Sequence, residues 1–402
     1  MKTGIKNQTL AFAFLECFFW AGYCCVLGFI SSYLKQLNYA DSIIGLIMAI
    51  VAMVLMITQP LFGYLADTYI PPKILISLSI LISIGLAFLI PLAKQGVVYA
   101  LITVLLLTVC ESSVTGVISS WSSKLIAAGE PINYGLTRGT GSMGFAFTAI
   151  LVGLMMQKLG SDIIFILHAV FYTLDILVIL FLVKYIPCLN KKGRNEKQLQ
   201  SSSGLIKSIG ILMKNKRYVV LMLSIFITSC AITMVNTYFP LILLSAGGTS
   251  EDVGIYLFVT AMSEGCVMVF YSKFAQRFKN RSLFLFSLFF FVIRFLLFWA
   301  ASGNTTALIA FQITQSFSYG LYLPSTVAYT AEVSPLALRS TALSIGMALN
   351  MGLSSVIGNL VGSILSQNIS LLSIFPVALF LVIISILIFS ITFLIKHAPA
   401  QN

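Results

Sequence analysis

Long apolar runs separated by short polar breaks make up almost the whole chain. About 20 apolar residues are needed for a helix to cross the hydrocarbon core of a membrane. The pattern predicts twelve such helices, at residues 10–34, 42–62, 74–93, 97–118, 138–157, 163–183, 218–245, 253–274, 282–301, 305–330, 340–365 and 371–395. The breaks between them carry turn-forming residues, for example Pro71-Pro72 and Gly247-Gly248. We therefore expect an all-α membrane protein with twelve transmembrane helices.

One long polar segment, Pro187–Arg217, separates the first six predicted spans from the last six. It is rich in lysine and arginine, which favours a cytoplasmic loop. The expected organisation is an amino-terminal six-helix bundle in 1–187, a cytoplasmic linker in 188–217 and a carboxyl-terminal six-helix bundle in 218–402.

Composition and charge agree with this topology. Of the 402 residues, 59% are hydrophobic and only 9% are charged, whereas soluble domains contain about 25% charged residues. Most of the 24 lysines and arginines fall in loops that a chain starting inside would place on the inner side. This positive-inside bias predicts cytoplasmic termini in a plasma (inner) membrane, and it accounts for the net charge of +12 without a nucleic acid partner.

The seven cysteines are odd in number and lie mostly inside apolar runs. We interpret them as small core residues, because their spacing suits neither a disulfide framework nor a metal site. The sequence also lacks a phosphate-binding glycine loop and a nucleophile–histidine pattern, so we expect no enzymatic activity, no metal and no bound cofactor.

The two halves contain weakly similar motifs. Residues 63–67 follow span two and residues 272–276 follow span eight, while Arg138 and Arg339 open spans five and eleven. These positions agree with duplication of a six-span unit, an architecture that many transporters share.

The motif Gly63-Tyr64-Leu65-Ala66-Asp67, with Lys73 six residues later, resembles the loop signature of the major facilitator superfamily. Within that superfamily the chain resembles the lactose-permease-like branch of proton-coupled sugar and nucleoside symporters. Three places carry this likeness over essentially the whole chain: the stretch Tyr134–Gly144 around Arg138, the pair Glu264 and Arg294, and the stretch Gln312–Gly320 in span ten. The resemblance implies the major facilitator fold, alternating access and a monomer.

An arginine inside an apolar span carries a high free-energy cost and therefore marks a candidate functional site. Arg138 matches the arginine that binds substrate hydroxyls in this branch, and Arg294 matches one used for recognition and coupling. Glu264 stands where the family uses a span-eight acid, so we expect it to carry the coupling proton. The acid that partners the span-five arginine in the family is absent here, since Ser119 or Ser120 occupies its place, and Glu111 is the expected substitute.

Other intramembrane polar groups complete the candidate site. Glu16 lies among aromatic residues of span one that could form a wall for a sugar or a base. Gln312 and Gln315 can hydrogen-bond a polar solute but cannot titrate. Asp175 and His168, seven residues apart on span six, are expected to form a packed polar pair.

Span ten lacks the histidine and the acid that the branch uses for proton transfer. Proton coupling must therefore run through Glu264, Glu111 or Glu16, with Na⁺ as the alternative ion and uncoupled transport as the other alternative. Gly63, Asp67 and Lys73 are expected to form a cytoplasmic conformational latch, as the loop signature does in the family.

We thus expect a secondary transporter that imports a polar small solute by proton symport. A sugar or glycoside is favoured, and a nucleoside is the second choice. Two alternatives stay open at this point: an exporter of amphipathic drugs, for which 31 phenylalanines and 14 methionines could line a permissive cavity, and a membrane sensor that does not transport.

Overall fold

The computed structural model describes residues 5–127, 129–130, 132–183 and 209–394. Every regular element in these ranges is a helix, and ten helical segments are long and apolar enough to cross a membrane. The expected all-α membrane architecture is confirmed. Residues 188–208 of the predicted linker lie outside the described part of the chain.

The helices of the first half follow the predicted spans closely. They are α1 (Ile5–Val26), α2 (Ile30–Gln36), α3 (Asp41–Thr68), α4 (Pro72–Ala87), α5 (Val97–Ala127), α6 (Tyr134–Leu159) and α7 (Ile163–Phe181). α1 and α2 together form the first span, and each of α3, α5, α6 and α7 forms one span.

From Lys216 onward the helices again match the apolar runs. They are α8 (Lys216–Ser245), α9 (Ser250–Arg277), α10 (Asn280–Ala300), α11 (Thr305–Phe311), α12 (Tyr319–Val333), α13 (Arg339–Met347), α14 (Ser354–Asn368) and α15 (Ile374–Leu394). A π-helical segment, Ala348–Leu353, joins α13 to α14 within the eleventh span.

Besides the first and the eleventh, two more of the twelve predicted spans, the third and the tenth, consist of shorter pieces. The third is α4 followed by the 3-10 turn Ile90–Gln95, and the tenth is α11, the 3-10 turn Gln312–Gln315 and α12. Interrupted helices are tolerated inside a membrane only where protein or a cavity shelters the backbone. In the tenth span the interruption coincides with two polar side chains, which makes it a candidate site.

The described residues form two compact units. Unit 1 contains the residues up to Val183 together with Phe239–Met262, and unit 2 contains the remainder. The beginning of α9 belongs to unit 1 because it packs on α6: a Cβ atom on Gly153 would lie only 2.7 Å from the carbonyl oxygen of Ser250. The division at 187 and 217 stays a prediction.

α1 is the central helix of unit 1 and packs along both α6 and α7. Glycines allow the first of these contacts. A Cβ atom on Gly144 would lie 2.5 Å from the carbonyl oxygen of Cys17, and one on Gly141 would lie 2.7 Å from Cδ1 of Trp20. Close backbone approach between small residues is a common way to join helices in lipid. Here it brings polar side chains of α1 and α6 within reach of each other.

We predict that Gly144→Ala lowers the thermal stability of the purified protein. Alanine is intrinsically better than glycine in a helix by about 1 kcal/mol, but overpacking of a tight contact costs about 1–3 kcal/mol. The midpoint of thermal unfolding in detergent measures the net effect. The matched control is Gly85→Ala in α4, where an added Cβ atom would have no neighbour within 4 Å, and whose midpoint should stay or rise. Equal midpoints for the two variants would contradict a tight contact between α1 and α6.

Candidate functional site

Arg138 lies one turn inside α6, at the edge of unit 1. The helix begins at Tyr134 because the side-chain oxygen of Asn133 accepts a hydrogen bond from the backbone nitrogen of Leu136, at 3.1 Å. The guanidinium carbon of Arg138 is 4.5 Å from the ring centre of Trp20 on α1. Both side chains are partly exposed, so this cation–π pair offers a face that a ligand can reach.

Glu16 lies beneath this pair. Its Oε2 accepts a hydrogen bond of 2.9 Å from Nε1 of Trp20, which is four residues away on the same helix. Glu16 is only 3% exposed and has Arg138 as its neighbouring cation. Guanidinium, indole and carboxylate therefore form one group, which we call the Arg138 cluster. It unites two of the residues that the sequence singles out.

Glu111 is not the acid partner of Arg138, and this part of the sequence interpretation needs correction. Its Oε1 lies 2.7 Å from Nε2 of His168 on α7, and neither side chain is exposed. The acid beside Arg138 comes from α1 instead of α5, because α1 packs directly on α6. A substrate contact by Glu111 stays a prediction.

The expected pair of His168 and Asp175 is also replaced by a different arrangement. His168 reaches across to α5, while Asp175 lies seven residues further along α7, fully buried. Tyr172 stands between them on the same helix, with its ring centre 4.4 Å from that of His168. Sequence reasoning did not select Tyr172, and no local signal distinguishes it from the other aromatic residues of the apolar runs.

Unit 2 contains a second polar group around the broken tenth span. Arg294 on α10 is 1% exposed, and its Nη2 donates a hydrogen bond of 2.9 Å to Oε1 of Gln312. The guanidinium also lies over the ring of Phe298, 5.1 Å from its centre. A buried arginine needs acceptors because an isolated charge is very costly in an apolar medium. Gln312 supplies one of them.

Gln315 connects the same turn to α9. Its Nε2 donates a hydrogen bond of 2.9 Å to Oε2 of Glu264, which is partly buried. The helices approach closely here, since a Cβ atom on Gly320 would lie 3.2 Å from the carbonyl oxygen of Glu264. The turn thus brings together four of the predicted site residues, Glu264, Arg294, Gln312 and Gln315, which we call the turn cluster.

Two residues of the predicted latch, Asp67 and Lys73, contact different helices in the structure. The carboxylate of Asp67 pairs with the ammonium group of Lys124 on α5. Lys73 instead donates to the carbonyl oxygens of Leu180 and Val183, each at 3.1 Å, at the end of α7. A cation at a helix carboxyl end stabilises its unpaired carbonyls. A Cβ atom added at Gly63 would have no neighbour within 4 Å. The latch role of these residues stays a prediction.

One buried polar group in unit 2 was not anticipated. Ser229 on α8 donates to Oδ1 of Asn350 at 2.6 Å and lies 3.0 Å from the hydroxyl of Tyr322. Asn350 belongs to the π-helical segment of the eleventh span. An asparagine inside an apolar run was the available sequence signal, because a polar side chain at membrane depth needs a partner.

The described residues contain no set of three His, Cys, Asp or Glu side chains that could hold a metal ion. The polar side chains that gather in the two units are instead arginines, carboxylates, amides and aromatic rings. Such groups suit hydrogen bonding of a polar solute and proton transfer.

Comparison with known proteins places this chain in a family. The family model described as MFS_1 like family matches residues 10–377. Maltose permease of Geobacillus stearothermophilus is 26% identical over 348 residues, covering 84% of this chain and 83% of that protein. An uncharacterized transporter of Bacillus subtilis (strain 168), YwbF, is 25% identical over 381 residues, covering 94% of this chain and 90% of that protein.

The solved structures extend the likeness to the whole fold. The nucleoside transporter NupG superposes with a TM-score of 0.80 at 18% identity, covering 98% of this chain and 100% of that one. A bacterial homologue of the human lysosomal transporter Spinster, inward-facing and unoccupied, gives a TM-score of 0.69 at 14% identity, with 100% of both chains covered. At these identities the likeness establishes the fold.

We predict that Gln312→Leu destabilises unit 2. The variant keeps a similar volume but removes an acceptor from the buried guanidinium of Arg294, and a hydrogen bond to a charged group contributes about 1.5–3 kcal/mol. Thermal unfolding of the purified protein measures the effect. The control is Gln276→Leu, an exposed glutamine on α9, which should leave the midpoint unchanged. A stable Gln312→Leu protein would show that the contact with Arg294 is dispensable.

Proposed function

The chain belongs to the MFS_1 like family, and from this premise we propose that it imports a polar uncharged solute by proton symport with alternating access. A sugar or small glycoside is the favoured solute class, and a nucleoside is the second. Arg138 and Arg294 orient the solute, and Glu264 carries the proton.

The Arg138 cluster is the observation that carries this proposal. A guanidinium presents several donors in a plane and suits neighbouring hydroxyl groups. The partly exposed indole of Trp20 beside it offers an apolar ring face, on which the C–H face of a sugar or a base can lie. Glu16 adds an acceptor from below. Donors, an acceptor and a ring face within one cluster match the chemistry of a polyhydroxylated solute.

The turn cluster supports a role for Glu264 in proton binding. Gln315 donates to the Glu264 carboxylate through its amide nitrogen, and its own Oε1 is buried with no partner among the described residues. Rotation of the amide would let this oxygen accept a hydrogen bond from a protonated Glu264. A glutamine can therefore hold the acid in both protonation states.

The relatives support the same solute classes. The maltose permease is named for a sugar, and its similarity to this protein covers 84% of the chain. The NupG structure is that of a nucleoside transporter, which supports the nucleoside as the second candidate. Export of amphipathic drugs is less compatible with two intramembrane arginines, because these suit cargo rich in oxygen.

We predict that a sugar such as maltose raises the thermal midpoint of the purified protein and that Arg138→Ala abolishes the shift. A ligand at about one hundred times its Kd stabilises the folded form by about 2.7 kcal/mol. Sugars, nucleosides and hydrophobic amines form the test panel. The control is Arg277→Ala, at the exposed end of α9, which should keep the shift. A response to hydrophobic amines alone, unchanged by Arg138→Ala, would favour the exporter.

We predict that Glu264→Gln loses accumulation of the solute against its gradient but retains exchange of labelled for unlabelled solute. A glutamine cannot bind and release the coupling proton, although it keeps the size and hydrogen-bonding capacity of the acid. Reconstituted vesicles with an imposed pH gradient allow both measurements. Glu251→Gln, on the first turn of the same helix, is the matched control. Accumulation by Glu264→Gln at the wild-type level would overturn the assignment.

A further inference from the structure

Unit 1 contains a titratable pair that the proposed function does not use. Glu111 and His168 are separated by 57 residues in sequence, yet Oε1 of one lies 2.7 Å from Nε2 of the other, without exposure to solvent. With Glu111 ionised, Nε2 must carry the hydrogen of this bond. Nδ1 of His168 then has a free lone pair, and it is buried with no partner among the described residues. That nitrogen can therefore accept a proton.

Asp175 provides a second buried acceptor on the same helix. Its side chain has 0% exposure, and neither carboxylate oxygen has a hydrogen-bond partner within the described ranges. An ionised carboxylate in such a place would be strongly unfavourable, whereas a protonated one would be tolerated. Asp175 is therefore the second place in unit 1 where a proton would be stabilised by the structure itself.

Tyr172 lies between these two acceptors and is held firmly in place. It is four residues after His168 and three before Asp175, so all three share one face of α7. Its ring stacks on Phe19 with centres 5.9 Å apart. It also fills the space above Gly22, where a Cβ atom would come within 2.1 Å of the ring. The packing of α1 on α7 thus fixes the arrangement of the polar face.

The charges around this face are unbalanced. α1 contributes Glu16, Cys17, Tyr23 and Cys25, α5 contributes Cys110 and Glu111, and α6 contributes Arg138 beside Glu16. α4 also packs on α7, but its one titratable residue, Lys73, is engaged at the end of that helix. Three carboxyl groups thus stand against one guanidinium and one imidazole. Two bound protons would make this group electrically neutral, which a medium of low dielectric constant favours.

We propose that Glu111, His168 and Asp175 form a proton-binding site in unit 1, separate from Glu264. One proton from water binds Nδ1 of His168 and converts its imidazole into an imidazolium paired with the Glu111 carboxylate. A second binds a carboxylate oxygen of Asp175, and both return to water when the site empties. The proposal goes beyond the function given above, in which the proton binds in unit 2.

Histidine NMR on the full-length protein tests the first proton. The chain has only two histidines, so His397→Gln leaves His168 as the single imidazole to be labelled with ¹⁵N. We expect its signals to change from those of a neutral imidazole to those of an imidazolium as the pH is lowered. In Glu111→Gln the imidazolium population at a fixed pH should fall, because the variant removes the carboxylate that pairs with the charged ring. One unchanging protonation state in both proteins would overturn the proposal.

Infrared difference spectra between low and high pH test the second proton. We expect a carboxylic acid C=O band that moves on ¹³C labelling of aspartate and disappears in Asp175→Asn. If Asp175→Asn fails to fold, the band should persist in the labelled protein when the other aspartates, Asp41, Asp67, Asp162 and Asp252, are replaced one at a time by asparagine. Absence of an aspartate band would show that Asp175 keeps one protonation state and would overturn its part in the site.

Both measurements are made without solute, so they are independent of the proposed transport activity. Glu264→Gln is the matched control and should leave the histidine signals and the aspartate band unchanged, whatever it does to accumulation. If Glu264→Gln abolished them, proton binding in unit 1 would depend on the unit 2 acid, and the proposal of a separate site would be wrong. Failure to find a transported sugar would contradict the proposed function alone.

Discussion

The cost of a charged side chain inside a membrane is the constraint on which this structure depends. Three of the intramembrane charges described above are each met by a specific partner: an indole ring for Arg138, an amide for Arg294 and an imidazole for Glu111. Apolar burial between helices contributes little specificity in lipid, where the surrounding medium is equally apolar. The polar contacts therefore fix which helix faces which. The candidate sites are the same contacts that hold the helices in register.

Small residues and a helix interruption accompany these contacts. Gly141 and Gly144 bring α1 against α6, and the 3-10 turn of span ten carries two buried glutamines. Gln312 contacts α10 while Gln315 contacts α9. One turn of span ten therefore links two neighbouring spans.

The sequence predicted the spans well because hydropathy depends only on local composition. It also located the ionisable residues within the spans, since an ionisable group in an apolar run is conspicuous wherever it points. The sequence did not predict which of these side chains contact each other. Glu111 and His168 are 57 residues apart, and whether they meet depends on the rotation and tilt of two helices, which no local pattern encodes. Asp67 and Lys73 are close in sequence yet bind different helices for the same reason.

The polar groups differ in the chemistry of their partners. The Arg138 cluster, which we propose to bind the solute, combines a guanidinium with an indole and a carboxylate. Glu264 is held by an amide that can accommodate either form of the acid, which allows a proton to move without loss of the contact. The contact between Glu111 and His168 joins an acid to a base directly, so proton binding there changes the charge of the pair and the strength of its hydrogen bond.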